Sequence, residues 1–326
     1  AEALYNLGFA LQKLGQLDAA VRSYKKVIAI KPDYAETHNN KILSVIYFFT
    51  NGQIPDAIDT LEVLIKDNPN DALLFNMIGG CYASLGQLDK AIRHYEQALA
   101  IKPDYAVPQH MLNALTGNKS TEPPKEYVKN LFDDFAERFD DSLVQKLDYK
   151  LPFLMKELIL KLDPTRNKFK KVIDLGCGTG LSGKGLRGIS ENLTGIDLST
   201  NMVAKARELE VYDSLIVGDI VDTLSSSQEK YDLFIALDVL IYIGAVKSIF
   251  NAVRNCCNKN AFFIFSVETQ VEDGYSLLKS ARYSHSEKYV IKIASDGFKL
   301  IDSQEVSLRK ERDGWIDGKI FILQAS

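Results

Sequence analysis

Short apolar runs alternate with helix-forming segments throughout the second half of the chain. Five successive runs are rich in β-branched and aliphatic residues, which predicts strands separated by helices. These runs lie at residues 172–175, 192–197, 214–217, 231–237 and 261–267. Two further runs, Phe298–Leu308 and Trp315–Gln324, are joined across Arg309–Gly314, which predicts an antiparallel pair. The pattern therefore predicts a seven-stranded, Rossmann-like α/β domain whose sheet is mixed but mostly parallel.

The N-terminal third of the chain follows a repeat of another length. The phrase Ile30–Ala35 returns as Ile101–Ala106, and Gly15–Ala20 returns as Gly86–Ala91. A looser middle copy closes at Pro69, so the copies recur at a period of about 34 residues. This period, with small residues at fixed helix positions, resembles tetratricopeptide repeats. The resemblance implies three repeats, and because the array begins in mid-pattern we expect further repeats before residue 1.

A break in composition separates the two parts. Gly117–Pro124 combines a glycine, polar residues and two prolines, which cannot continue a helix. Just before it, Tyr105–Thr116 is predicted to be a terminal capping helix. The predicted organisation is α + α/β with two domains: a repeat domain at 1–117, a linker at 118–126 and the α/β domain at 127–326.

Two helices are predicted ahead of the first strand, within residues 127–162. The first places Phe132, Phe135 and Phe139 on one helical face and acids on the other. The second covers Leu151–Leu162. An aromatic stripe of this kind ordinarily packs against a sheet, and the alternative is that it covers a ligand.

The segment after the first strand carries the clearest chemical signal. Asp174 ends the strand, and Gly176, Gly178 and Gly180 follow before helix-forming sequence begins. Glycine allows left-handed turns and leaves the backbone open to a ligand. Because Gly178–Gly183 also fits the dinucleotide-binding pattern, the loop alone indicates a nucleotide-type cofactor and leaves a nicotinamide enzyme open.

The following strands also end in acidic residues. Asp197 ends the second strand, where a carboxylate can accept both hydroxyls of a ribose, and Ser199 is a suitable N-cap for the next helix. Asp219 follows the third strand and can accept an exocyclic adenine amine. The fourth strand ends at Leu237, directly before Asp238. A single acid at a strand end is usually only solvated, but four such ends at the spacing of βα units indicate a site.

This succession resembles the class I S-adenosylmethionine-dependent methyltransferases over roughly residues 125–326. The resemblance implies S-adenosylmethionine as the cofactor and S-adenosylhomocysteine as the product. The cofactor-binding residues that it implies are Tyr127, Phe135, Asp174, Gly176, Cys177, Gly178, Gly180, Asp197, Leu198, Met202, Asp219, Ile220 and Leu237. Several such enzymes carry a similar Phe-Asp-x-x-Ala segment that folds over the cofactor, so the aromatic helix is predicted to be a lid. Asp174 also fits the cationic methionine amino group better than it fits a nicotinamide cofactor.

Methyl transfer needs proximity and orientation, and a base where the nucleophile carries a proton. Asp238 and Tyr242 follow the fourth strand and His285 follows the fifth, and these three are the predicted catalytic residues. His285 is the candidate general base near neutral pH. The alternative is that Ser284–Glu287 forms a capping box, which would leave His285 exposed in the first turn of a helix.

Substrate recognition is predicted in two places. Arg282 and Tyr283, beside the predicted active site, would orient a substrate carboxylate or a peptide. In the repeats, the first helix of each pair lines a concave groove, where aromatic and asparagine side chains suit an extended peptide. These groove residues are Tyr5, Phe9, Asn39 and Asn76. The alternative is that they are ordinary helix surface and the array is a spacer or a dimerisation element, which leaves a homo-oligomer open.

Composition narrows the partners. Lys and Arg number 39 against 43 Asp and Glu, for a net charge of −4, and no basic block stands out, which disfavours nucleic acid as the substrate. The four cysteines show neither C-x-x-C spacing nor histidine pairing, so no metal site and no disulfide framework are predicted, and a reduced cytoplasm is the simplest location. No apolar run reaches the length of a membrane span, so no membrane association is predicted.

The predicted function is methyl transfer from S-adenosylmethionine to an oxygen or nitrogen of an acceptor. That acceptor is a small molecule, or a peptide or protein recruited with the help of the repeats. The motifs of amide, adenine and arginine methylation and a catechol-type metal site are not found in the sequence. The alternative is a scaffold that binds S-adenosylmethionine without catalysis.

Overall fold

The chain divides into two compact units, Ala1–Thr116 and Gly117–Ser326. The computed structural model describes residues 42, 44–46, 48, 49, 52–118, 120–136, 139, 151–162, 168–311 and 314–326. Each unit has buried apolar clusters of its own.

The described helices of the first unit pack around small residues. They are α1 (Ile54–Asp67), α2 (Ala72–Ser84), α3 (Leu88–Ile101) and α4 (Ala106–Thr116). A Cβ on Gly79 of α2 would lie 2.8 Å from the Tyr95 ring of α3, so only glycine fits there. Ala91 and Ala98 of α3 are fully buried. Small side chains at these positions allow α2 and α3 to approach closely, as the repeat pattern predicted.

The second unit is an α/β domain. Its helices are α5 (Lys125–Phe135), α6 (Leu151–Leu162), α7 (Leu181–Leu186), α8 (Thr200–Glu208), α9 (Ile220–Ser226), α10 (Lys247–Asn255) and α11 (Glu287–Ala294). Its strands are β1 (Phe169–Leu175), β2 (Ser190–Asp197), β3 (Ser214–Val217), β4 (Tyr231–Ala236), β5 (Cys257–Thr269), β6 (Tyr275–Leu277), β7 (Tyr283–His285), β8 (Phe298–Glu311) and β9 (Gly314–Ala325). The described part of this unit also contains short 3₁₀ turns at Arg187–Ile189 and Leu240–Tyr242.

The sheet is mixed and mostly parallel, which confirms the predicted fold class. Strands β3, β2, β1, β4 and β5 are neighbours in that order and run parallel, and β9 joins β5 antiparallel and carries β8 at the outer edge. These seven strands are the ones that the sequence predicted. The short β6–β7 hairpin is an addition, and β7 pairs parallel with the last two residues of β5.

Alternation along the strands divides the apolar residues between two faces of the sheet. On one face, Phe263 and Phe265 of β5 belong to the cluster that includes α10 and α11. On the other face, Phe262 and Ile264 belong to the cluster that includes α6. Because both faces are covered by helices, the carboxyl ends of the parallel strands form the open edge, where ligands bind in sheets of this kind.

Candidate functional site

A cleft of about 420 Å³ opens at the carboxyl ends of the parallel strands. This volume is in the range of small-molecule sites. Its walls come from the strand ends, from α5 and the segment before it, and from the segments around β7 and β8. The described lining residues are Glu122, Pro123, Lys125, Val128, Leu131, Phe132, Phe139, Gly176, Cys177, Gly178, Thr179, Leu181, Ser182, Asp197, Leu198, Gly218, Asp219, Ile220, Val221, Leu237, Asp238, Val239, Ile241, Tyr242, Ile243, Ser248, Arg282 and Arg309.

The glycine loop after β1 has the left-handed backbone that glycine permits. The φ angles are 71° at Gly176, 53° at Gly178 and 94° at Gly180. A Cβ on Gly176 would lie 2.4 Å from Cγ2 of Val239, so no side chain fits at that position. The N–H groups of Gly176 and of the next residue donate to the carbonyl oxygen of Ile196 at 2.8 and 2.9 Å. The loop is thereby fixed against the end of β2 and presents its backbone to the cleft, although Gly180 is not part of the lining.

Asp197 faces the glycine loop at the end of β2. Its two carboxylate oxygens accept the N–H groups of Gly178 at 2.9 Å and Ser199 at 2.8 Å. Burial raises the pKa of Asp197, and these backbone donors oppose that shift. Ser199 caps α8 as predicted, because its hydroxyl accepts the N–H of Met202 at 3.1 Å. Leu198 lines the cleft with Asp197, whereas Met202 is fully buried and is not in the lining.

Asp174 lies outside the cleft lining, although the sequence grouped it with the cofactor residues. Its carboxylate is buried and accepts the hydroxyl of Tyr212 at 2.7 Å. Burial raises the pKa of Asp174 to about 7, and the Tyr212 hydroxyl opposes the shift. A Cβ would lie 3.2 Å from the Tyr212 ring if added to Gly180, and 2.4 Å if added to Gly183 of α7, so this tyrosine packs tightly against the end of the loop and the helix after it. Asp174 therefore supports the glycine loop from behind in the described structure.

Asp219, after β3, lies in the lining together with Ile220. One carboxylate oxygen accepts the N–H of Asp222 at 3.0 Å and so caps α9. The other lies 3.3 Å from Nζ of Lys125, which also binds Asp222 at 2.8 Å. The carboxylate that the sequence assigned to an adenine amine thus has both a capping and an ion-pair role.

Helix α5 is attached at both ends to the strand ends that it covers. Lys125, at its start, is bound to the acids after β3 as described above. Asp133, near its end, accepts the Ser199 hydroxyl at 2.6 Å and the N–H of Asn201 at 3.2 Å. The Asn201 side-chain amide in turn donates to the carbonyl oxygen of Asp133 at 3.1 Å. The helix therefore crosses the cleft from the end of β3 to the end of β2.

The aromatic residues of this helix region divide into those that face the cleft and those that do not. Phe132 lies in the lining and packs edge-on against Tyr242, with ring centroids 5.2 Å apart, and against Phe139 at 6.0 Å. Tyr127 is half-buried but is absent from the lining, and burial raises its pKa. The side chain of Phe135 lies outside the described residues.

The segment after β4 brings two of the predicted catalytic residues into the cleft. Asp238 has a φ of 55°, a left-handed conformation that is unusual outside glycine, and its N–H donates to the Ser266 hydroxyl at 2.8 Å. Burial raises the pKa of Asp238, while the nearby Arg309 guanidinium acts in the opposite direction. Tyr242 follows in the 3₁₀ turn, and burial raises the pKa of its phenol. At neutral pH the phenol is therefore protonated and is a hydrogen-bond donor.

Four charged side chains from distant segments meet behind this end of the cleft. Glu268 of β5 is buried and accepts Nε of Arg282 at 2.9 Å and the guanidinium of Arg309 through the same carboxylate oxygen. Nη1 of Arg309 lies 3.4 Å from a carboxylate oxygen of Asp238. Both arginines also belong to the lining of the cleft. Asp238, Glu268, Arg282 and Arg309 are called the charged cluster below.

His285 does not meet Asp238 and Tyr242 in the cleft. It is the last residue of β7, it is fully buried, and its Nε2–H donates to the carbonyl oxygens of Ile243 and Gly244 at 2.8 and 3.1 Å. Burial lowers its pKa to about 4, so it is neutral at physiological pH, which does not support the predicted role of general base. The alternative interpretation, a capping box with an exposed histidine, is wrong, because Ser286 caps α11.

Tyr283, the second substrate residue predicted beside the active site, is not part of the cleft lining. Tyr283 is fully buried and contacts Gly244, where a Cβ would lie 2.6 Å from its ring. Asn76 is half-buried on α2. Tyr5, Phe9 and Asn39 lie outside the described residues, so the predicted groove stays a prediction.

Several residues that contact one another at this site could not be identified from the sequence pattern. Glu268 lies in an apolar strand, and Arg309 lies in a strand with several other charged residues. Only the tertiary structure brings the two together with Asp238. Tyr212 lies in a loop between α8 and β3. Asp133 is a better case, because it belongs to the segment predicted to be a lid, whereas Lys125 lies in the predicted linker at 118–126.

No group of three or more His, Cys, Asp or Glu side chains within the described ranges is arranged to hold a metal ion. None of the helices that the structure describes is long and apolar enough to cross a membrane.

Two family models match the chain. The model described as "Methyltransferase domain" matches residues 173–265, from β1 to the middle of β5. The model described as "Tetratricopeptide repeat" matches residues 1–34 and 72–105. The second of these ranges covers α2 and α3.

Individual relatives match each part. The ubiquinone biosynthesis O-methyltransferase of Glaesserella parasuis serovar 5 is 27% identical over 142 residues, which cover 40% of this chain and 60% of the relative. The peroxisomal targeting signal receptor of Candida glabrata is 33% identical over 60 residues, or 18% of this chain and 10% of the receptor. Among solved structures, the magnesium protoporphyrin IX methyltransferase of Synechocystis PCC 6803 with bound SAH is 21% identical, with a TM-score of 0.49 over 62% of this chain and 100% of that one. The matches thus span less than two thirds of the curated methyltransferase's length.

The matched model and the sheet topology show that the second unit contains a methyltransferase domain with the mixed, mostly parallel sheet expected of the class I S-adenosylmethionine-dependent methyltransferases. The chain thus combines a region that matches tetratricopeptide repeats with a methyltransferase domain, the combination that the sequence predicted.

Proposed function

We propose that the chain transfers a methyl group from S-adenosylmethionine to an oxygen or nitrogen of an acceptor bound beside it. The observation that supports this most is that one cleft joins the glycine loop and Asp197 to Asp238, Tyr242 and Arg282. A donor and an acceptor held in this cleft would be adjacent, and proximity is the main requirement of an in-line displacement.

The donor end of the cleft suits S-adenosylmethionine in shape and chemistry. Gly176 and Gly178 have no side chain that could separate the ligand from the backbone of the loop, and the Asp197 carboxylate is held in a fixed orientation by two backbone N–H groups. Leu198 and Ile220 offer apolar contact for a base. When bound, S-adenosylmethionine would supply an electrophilic methyl group on its sulfonium.

At the acceptor end, we assign the role of base to Asp238 where the nucleophile carries a proton. Asp238 lines the cleft, and its left-handed backbone is fixed by Ser266. Tyr242 would donate a hydrogen bond to orient the acceptor. Phe132 packs against Tyr242, so closure of α5 would exclude water at the same place.

His285 is assigned a positioning role instead. Its Nε2–H donates to the carbonyl oxygens that directly follow Tyr242 in the chain. It would thereby keep the 3₁₀ turn in place without contact to the acceptor.

The role of the repeats is part of the proposal. We infer that they recruit a peptide or protein that is the acceptor or carries it, as repeats of this kind bind extended peptides in a concave groove. If so, removal of residues 1–116 leaves donor binding unchanged and lowers turnover on protein acceptors selectively.

The test is a titration with S-adenosylmethionine followed by a methyl-labelling assay on fractionated cell extract. Binding and label transfer are expected for the wild type, and loss of both for Asp197→Ala. The control variant is Asp317→Asn, an exposed change on β9. Binding without release of S-adenosylhomocysteine would contradict catalysis and favour a scaffold. Binding of NAD without S-adenosylmethionine would contradict the cofactor assignment.

A further inference from the structure

Burial of the charged cluster at the acceptor end of the cleft costs free energy. Arg309 and Glu268 are 4% exposed each, and the side chains of Arg282 and Asp238 are 16% and 17% exposed. Removing such groups from water costs several kcal/mol per ion, and a hydrophobic replacement is often no less stable. The cluster therefore calls for a role besides stabilising the fold.

Backbone irregularities orient three of its four side chains. Asp238 is itself in the left-handed region, and Ala281, directly before Arg282, has a φ of 62°. The register of β8 with β9 shifts between Ser307 and Arg309, which marks a β-bulge. Bulges and left-handed residues redirect side chains at a local cost and are concentrated at functional sites. Here each of them lies at or directly before a charged residue of the cleft lining.

The two guanidinium groups are held by one carboxylate. Glu268 binds Arg282 through Nε and Arg309 through its terminal nitrogen, and both arginines remain in the lining of the cleft. Guanidinium groups in fixed orientations bind carboxylates and phosphates through paired hydrogen bonds. The acceptor end of the cleft is therefore built to receive an anion.

The charge balance favours a monoanion. The two arginines are already matched by Asp238 and Glu268, so a bound carboxylate would bring the cluster to −1 and a phosphate dianion to −2. Under the proposed function the sulfonium of the donor supplies +1 in the same cleft, which neutralises a carboxylate.

We propose that Arg282 and Arg309 bind a carboxylate group of the methyl acceptor. This inference rests on the proposed function, and it names the class of acceptor: a small molecule or a peptide side chain that carries a carboxylate.

The experiment compares treated and untreated cell extract as the source of acceptors, with the full-length protein and labelled S-adenosylmethionine. Carboxylates in one portion are converted to methylamides with a carbodiimide and methylamine, and a second portion receives methylamine alone. A third portion is treated with phosphatase. The expected result is that the amidated extract loses at least about ten-fold of its acceptor capacity, because an uncharged amide cannot pair with guanidinium groups, while the other two portions keep theirs.

A variant arm connects the result to the residue. Arg282→Gln is expected to raise the extract concentration that gives half-maximal rate by about ten-fold or more, the effect of losing a charged hydrogen bond, with unchanged affinity for S-adenosylmethionine. Lys279→Gln removes an exposed charge nearby and is expected to behave as the wild type. If Arg282→Gln loses donor binding, the comparison of amidated and untreated extract still tests the carboxylate assignment, because it uses only the wild-type protein.

The outcomes separate the two proposals. Full labelling of amidated extract, or loss of labelling only after phosphatase treatment, overturns the carboxylate assignment and leaves methyl transfer standing. Absence of both donor binding and labelling with untreated extract overturns the proposed function and this inference with it.

Discussion

The donor end and the acceptor end of the same cleft are built in opposite ways. The donor end is formed mainly by backbone groups: glycines in left-handed conformations, N–H groups that hold Asp197, and capped helices. At the acceptor end, side chains from β5, the β6–β7 turn, β8 and the segment after β4 form one buried cluster. The difference teaches that the donor end is suited to one fixed ligand, whereas the acceptor end can change with a few side chains.

The largest expected effect is at the acceptor end. Asp238→Asn should lower turnover by about 1000-fold, within the range of a lost general base, and leave the affinity for S-adenosylmethionine unchanged. Asparagine tolerates the left-handed backbone at this position, so the fold is retained. Steady-state rates measure turnover, and titrations with S-adenosylmethionine measure donor affinity. Asp317→Asn is the control.

The pH profile provides a second measurement on the same variant. Burial raises the pKa of Asp238, and the base acts in its ionised form, so the wild-type rate should increase as pH rises through that raised pKa. In Asp238→Asn this increase of the rate on the acid side of the profile should disappear. If the rate of the variant still increased with pH in the same way, another group would be the base.

The next largest effect belongs to the donor end. Gly176→Ala should weaken binding of S-adenosylmethionine by about 100-fold, because the left-handed backbone and a crowded Cβ each cost about 1–3 kcal/mol. The new Cβ would lie 2.4 Å from Cγ2 of Val239. Gly188→Ala is the matched control, since nothing lies within 4 Å of its added Cβ. Titration calorimetry measures both, and equal affinities would contradict the proposed use of the loop.

A smaller effect tests the positioning role of His285. His285→Ala should lower turnover by about ten-fold, roughly the value of one buried hydrogen bond, and retain donor affinity. His285→Gln, which offers an N–H donor, should recover part of the loss. If His285 were the base instead, His285→Gln would be as inactive as the alanine variant and the pH profile would change shape.

The same residue makes stability depend on pH. Because the folded pKa of about 4 is below the ordinary value of 6.5, the unfolded chain binds the extra proton between these values. The contribution of His285 to stability is complete above pH 6.5 and is lost as pH falls toward 4. The thermal unfolding temperature of the wild type should therefore fall more between pH 6.5 and 4 than that of His285→Gln.

The smallest expected effect concerns the helix that covers the donor end. Lys125→Ala should weaken donor binding by about three-fold at low salt, since exposed ion pairs contribute less than about 1 kcal/mol. Its ammonium joins α5 to Asp219 and Asp222 while 56% of the side chain is exposed. The difference should fade at high salt. Lys129→Ala, on the exposed side of α5, is the control, and an equal effect there would argue against the covering role.

The fold was largely predictable because local rules decide it. The apolar runs located the seven strands, Ser199 was recognised as a helix cap, and the proline-closed phrases indicated the repeats. Part of the candidate site was predictable for the same reason: Gly176, Gly178, Asp197 and Asp219 lie at strand ends, and parallel strands end at one edge of a sheet.

Other parts were not predictable from position in the chain. Asp174 also ends a strand, yet its carboxylate is buried against Tyr212 behind the loop. His285 lies in a polar phrase that suggested an exposed helix start, but the short strand β7 pairs with β5 and buries it. Burial depends on what covers a residue, and here the covering segments are distant in sequence.

The sequence by itself determined the order of the elements, the class of the domain and the glycine loop, because periodicity and backbone freedom are local properties of neighbouring residues. Only the tertiary structure decided which charges meet. Arg309 reaches Asp238 and Glu268 because β8 and β9 fold back on β5 and a bulge redirects its side chain. Coulomb interactions act through space, so the position of Arg309 among the mixed polar and apolar residues of β8 does not indicate its partners until the sheet is formed.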